Sequence, residues 1–115
     1  MYSKTTSGVT VTVTPYFLED QSSPQESHYV WAYQVNIKNA SSATVKLNHR
    51  NWVIIDANGK IINVQGEGVV GEFPILQPGE SFEYTSGTPL KTTNGIMQGF
   101  YLMSQDNGEQ LKIDI

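Results

Sequence analysis

Trp52–Val64, W-V-I-I-D-A-N-G-K-I-I-N-V, decides the fold. Two short apolar runs flank Asn58-Gly59. Asn-Gly between such runs is the strongest short hairpin signal, because a type I′ turn needs positive φ at both central residues. The pattern predicts two antiparallel strands, Trp52–Ala57 and Lys60–Val64. The first is almost continuously apolar, which predicts cover on both of its faces.

The same alternation spreads outward in both directions. Val9, Val11 and Val13 alternate with Thr10, Thr12 and Thr14. Tyr29, Trp31, Tyr33, Val35 and Ile37 continue it, with Gln34, Asn36 and Lys38 on the other side. Ala40-Ser-Ser-Ala43 reads as a turn into a strand over 44–48. Leu76-Gln-Pro-Gly79 is a second turn, and Phe82 and Tyr84 alternate with Ser81, Glu83 and Thr85. A strand over 96–103 leads through Asp106-Asn-Gly108 to Leu111, Ile113 and Ile115. Period two over about seven to eight segments, with turn signals every 8–12 residues, predicts an all-β antiparallel sandwich of the immunoglobulin or fibronectin type III kind. No segment offers three helical turns free of Gly and Pro. The expected inward set is Val11, Trp31, Tyr33, Val35, Ile37, Ile54 and Phe82.

The totals narrow the function classes. A length of 115 residues suits one domain over 1–115. There is no cysteine, so disulfides, thiolate metal sites and a cysteine nucleophile are excluded. No apolar run approaches the roughly 20 residues that span a bilayer. The first residues, M-Y-S-K-T-T-S-G, lack the apolar core of a secretory signal, so a cytoplasmic location and no membrane partner are expected. The net charge is −4 and the seven Lys and Arg are scattered. Nucleic acid is therefore not an expected ligand.

One motif invites a nucleotide reading. Gly66, Gly68 and Gly71 in Q-G-E-G-V-V-G-E-F-P (65–74) spell G-x-G-x-x-G. That spacing holds pyrophosphate only where a helix follows and supplies amides and dipole. Here Pro74 and Pro78 block a helix, and Glu67 and Glu72 repel an anion. The expectation is an ordered, bulged connection that does not bind nucleotide. Val69 and Val70, being adjacent, should face opposite ways. The segment Gly66, Glu67, Gly68, Val69, Val70, Gly71 and Glu72 then becomes the candidate surface for a protein partner.

The remaining chemistry is sparse. His28 and His49 lack metal-type spacing, and each is expected at a surface or turn. His49 and Asp56 are the only weak metal candidates, and together with Glu67 and Glu72 they would be the raw material of a divalent-ion site. No nucleophile elbow is present, so no catalytic residue and no cofactor is assigned.

The chain from Gly8 to Ile115 resembles the ApaG family. The resemblance is carried by V30-W-A-Y33, R50-N-W52, D56-A-N-G59, the run from Val64 to Pro74, the run from Leu76 to Gly87, and M97-Q-G-F-Y101. It implies a fibronectin-type sandwich, in which Leu76-x-Pro78-Gly79 before Phe82 marks the corner between sheets. Two positions depart from the family pattern: Asn51 stands where histidine is usual, and Thr88 where cysteine is usual. The resemblance attaches no catalysis to the domain. It implies a link to divalent cation tolerance, cobalt and magnesium in particular, and to a gene cluster for dinucleoside polyphosphate hydrolysis. Similar domains occur in F-box proteins and a polymerase-delta-interacting protein, settings that imply a binding module. The alternatives are a small-ligand or divalent-metal binder, and an uncharacterised polyphosphate-related hydrolase.

Overall fold

The computed structural model describes residues 2–115; Met1, at the head of the stretch read for a signal, lies outside them. Nine strands run in the order β1 Tyr2–Thr6, β2 Val9–Phe17, β3 Tyr29–Asn39, β4 Val45–Asp56, β5 Ile61–Glu67, β6 Ile75–Leu76, β7 Ser81–Leu90, β8 Gly95–Gln105 and β9 Gln110–Asp114. The polar segment before β3 holds two single-turn 3-10 helices, Glu19–Gln21 and Pro24–Glu26. The strands form two antiparallel sheets, β1-β2-β3-β7 and β5-β4-β8-β9, with the short β6 paired to β4. They pack face to face as a sandwich of the immunoglobulin and fibronectin type.

The inward residues are those of the period-two reading. Val9, Val11, Tyr33, Val35 and Ile37 from the first sheet meet Val45, Leu47, Trp52, Tyr101, Met103 and Ile113 from the second. Ile54 is buried and Phe82 packs half-buried against the same core. Trp31 lies at the margin of the expected set. It shares the inward parity of Tyr33 and its indole N–H is enclosed, but it sits near the end of β3, where its ring lies 5.2 Å from Phe17 and is only partly buried. The central tryptophan is Trp52, only 2% exposed. It is flanked by Tyr33 at 5.6 Å and by Tyr101 edge-on at 6.3 Å.

Three local readings also change. Residues 44–48 and 52–57 belong to one strand, β4, whose register shifts at a bulge between Leu47 and His49. The bulge resets the alternation, so Arg50, Trp52, Ile54 and Asp56 face inward while His49, Val53 and Ile55 face out. β4 is consequently covered on one face only. At the Asn58-Gly59 turn, only Gly59 has positive φ (82°). Asp56 and Lys60 close a three-residue loop, a type I turn followed by left-handed glycine. Asp56 causes this choice: its carboxylate accepts the amides of Asn58 and Lys60, both at 2.9 Å. The type I′ geometry appears instead at Ser7-Gly8, φ 51° and 81°, in the unanticipated hairpin of β1 and β2.

One buried polar side chain locks the corner. Asn39 is fully buried, and its side-chain amide donates to the carbonyls of Ala43 (2.7 Å) and Leu76 (2.9 Å). Its side-chain oxygen accepts from the Ser41 amide at 3.0 Å. Pairing every polar atom makes this burial tolerable. It ties the end of β3 to the Leu76-Gln-Pro-Gly79 turn, so β6 and β7 leave it at a fixed angle.

Candidate functional site

The glycine-rich segment folds back as a tight hairpin that continues β5. Val69 and Glu72 exchange both backbone hydrogen bonds, 2.9 and 2.8 Å, and the two residues between them have positive φ, 45° at Val70 and 79° at Gly71. That is type I′ geometry. Val69 is fully buried in the core, whereas Val70 is 55% exposed at the tip. The neighbours thus face opposite ways, but not through extended backbone: Val70 is turned outward by its place in the left-handed turn. No helix follows, and the chain proceeds through exposed Phe73 and Ile75 into β6.

Two contacts hold the hairpin on the sandwich. The Gly68 amide donates to the Asn48 carbonyl at 2.9 Å, just where the β4 bulge turns that group outward. Arg50 reaches from β4, and its Nη1 donates to the carbonyls of Glu67 (3.1 Å) and Gly68 (2.8 Å). The guanidinium passes over Gly66, where a Cβ would lie 2.8 Å from Nη2. At Gly68 the φ of 62° is joined by crowding, because a Cβ there would collide with the Glu72 carbonyl. The G-x-G-x-x-G spacing therefore serves three internal needs: room for Arg50, a close backbone approach and a type I′ turn. The carbonyls of the loop point at an arginine, whereas a phosphate cradle needs its amides pointing at an anion.

The hairpin tip rims a cleft of about 170 Å³ between the sheets, at the open side where β5 faces β7. Arg50, Trp52, Ile54 and Val64 line one wall. Tyr33, Tyr84, Ser86 and Thr88 line the other, with Val70 at the rim. Behind it, the Tyr84 and Tyr101 hydroxyls hydrogen-bond across the sandwich at 2.5 Å. Burial pushes both phenols above their ordinary value of 10.0. The Trp52 indole N–H is buried without a hydrogen-bond partner; it lies near enough to the Tyr84 phenol to favour its charged form, but short of bonding geometry.

The other candidates separate. His49 and Glu67 are paired across β4 and β5 on the outer face, while Asp56 lies inward at the far end of β4 with its carboxylate engaged in the turn. Glu72 is exposed on the hairpin and His28 is exposed before β3. Among the described residues no three His, Asp or Glu side chains converge as a metal ligand set. The cleft and its arginine escaped the pattern reading, although a signal was present. The inward positions of β7 read Phe82, Tyr84, Ser86, Thr88, and those of β4 read Arg50, Trp52, Ile54. Hydroxyl and guanidinium groups occupy places where the binary pattern calls for apolar ones, as functional sites do.

Fold and site together define a small fibronectin-type β-sandwich with a tight hairpin over an interior cleft. Comparison with known proteins makes the assignment specific. The ApaG domain model matches residues 19–105, and the chain belongs to the ApaG family. It is 55% identical to Protein ApaG of Paramagnetospirillum magneticum over 115 residues, all of this chain and 88% of that protein. It is 53% identical to Protein ApaG of Brucella canis over the same span, again 88% of that protein. The crystal structure of the putative ApaA protein from Bordetella pertussis superposes with a TM-score of 0.92 at 44% identity, covering 93% of this chain and 87% of that one.

Proposed function

We propose that this domain is a non-enzymatic module that binds a protein partner through the hairpin tip. The observation that carries the reading is Val70. It is a β-branched residue held at φ 45°, a region that costs an L residue roughly 1–2 kcal/mol and that β-branched residues avoid most. Asparagine at this position would give Asn-Gly, the preferred type I′ pair. Valine serves the turn worse, yet it projects an apolar group into solvent. Phe73 and Ile75 are exposed in the following residues, 46% and 61%, so the tip is part of an apolar run on a rigid base. Rigid loops on a sandwich are suited to recognition because little ordering entropy is lost on docking.

No helix among the described residues is long and apolar enough to cross a membrane.

Val70→Asn tests the reading without loss of fold. The variant should be at least as stable as the parent in a denaturant titration, because strain at the turn is relieved. Immobilised, it should capture several-fold less of the partner that the parent captures from a bacterial lysate. Ile61→Asn, which changes an exposed isoleucine on the outer face of β5, should capture as the parent does. Equal capture by Val70→Asn and the parent would overturn the assignment.

A further inference from the structure

The cleft beneath the tip has its own chemistry. Arg50 is its only charged lining group, and no carboxylate lines it. The one ion pair among the described residues joins Lys4 to Asp114, so Arg50 has no acidic partner. This partly buried cation has no counter-charge, and within the fold two loop carbonyls on Nη1 are its partners. The Nη2 and Nε edge of the guanidinium makes no hydrogen bond among the described residues. That edge presents two parallel N–H donors, the fork that fits one carboxylate side-on. Ser86 and Thr88 line the same cleft from β7, their hydroxyls also without partners among the described residues. Ile54, Val64 and Val70 supply the apolar remainder of the wall.

We infer that the cleft receives a carboxylate from the partner docked on the hairpin tip, bound by Arg50 and steadied by the Ser86 and Thr88 hydroxyls. This rests on the binding-module reading above. A lone arginine balances a single negative charge, and the volume, about six waters' worth, admits a carboxyl group with a short apolar stem. A phosphate dianion would keep one charge unmatched against apolar walls. Glu67 does not compete for Arg50: it lies on the outer face with His49. Arg50 would thus have two tasks, pinning the hairpin with Nη1 and reading the partner's carboxylate with its free edge. The carboxylate can come from a chain terminus or from an acidic side chain.

The test uses the intact chain and small probes, so it is independent of partner capture. The Trp52 indole ¹H–¹⁵N resonance reports on the floor of the cleft. N-acetylglycine offers a terminal carboxylate, the α-amide of N-acetylglutamate a side-chain one, and N-acetylglycinamide none. Inorganic phosphate is the fourth probe. A saturable shift of the Trp52 indole and the Thr88 amide is expected with at least one carboxylate in the millimolar range. Which one responds names the source. No response is expected from the amide, and a much weaker one from phosphate. Arg50→Gln should abolish the carboxylate response, while Ile61→Asn, on the outer face of β5 away from the cleft, keeps it. A flat indole with both carboxylates to tens of millimolar overturns the inference, and so does a response that Arg50→Gln retains. Loss of partner capture in Val70→Asn alongside a flat indole would leave the docking surface standing and remove only the carboxylate.

Discussion

Replacing Trp52 by alanine should lower the unfolding free energy by about 3–5 kcal/mol, the range for deleting a large aromatic from a packed core. The side chain is 2% exposed and bridges the sheets, touching Tyr33 in one and Tyr101 in the other. Its loss leaves a cavity between strands that β-sheet hydrogen bonds hold apart, so collapse cannot fill it. Trp31→Ala should cost less, since Trp31 is only partly buried and packs on Phe17 near the end of β3. Urea titration of both variants checks the order. Equal losses would mean that the sandwich is closed at the Trp31 end as tightly as at its centre.

Gly68→Ala should be the most damaging change in the glycine-rich segment, at about 2–4 kcal/mol. Left-handed backbone accounts for roughly 1–2 kcal/mol of this. The rest comes from the collision of the new Cβ with the Glu72 carbonyl, which opens the Val69–Glu72 pair and frees the fully buried Val69. Gly71→Ala is the internal control. Its φ of 79° is just as left-handed, but a Cβ there meets nothing within 4 Å. It should lose only the backbone share. Similar losses for the two would show that the close approach at Gly68 contributes nothing.

Much of this molecule could be read from its letters, because a half-buried strand leaves period two in the sequence. Val9 to Val13 and Tyr33 to Ile37 show it plainly, and the sandwich follows. What escaped has physical causes. The β4 bulge at Asn48 shifts parity without leaving a composition signal, so a single twelve-residue strand looked like two. The Asn58-Gly59 loop was pulled from type I′ to a three-residue form by Asp56, a side-chain effect outside the dipeptide rule. Hairpin β1–β2 went unseen because Ser3, Lys4 and Thr5 carry no apolar alternation; its outer face is joined by hydroxyl pairs such as Thr5 with Thr10 at 2.8 Å. The candidate segment 66–72 was found from its glycines. Its clamp, Arg50, was not, since it lies sixteen residues earlier and meets Gly66 only through the β4–β5 register.

The most direct measurement is an amide NMR titration of the intact chain, first with ATP and a dinucleoside tetraphosphate and then with a captured protein partner. The hairpin account predicts no saturable shifts over residues 66–72 with either nucleotide at micromolar concentration, because Gly66 and Gly68 serve Arg50 and the Glu72 carbonyl. It predicts shifts over residues 68–75 when the partner is added. Saturable nucleotide shifts centred on residues 66–72, with the same residues unmoved by the partner, would contradict it.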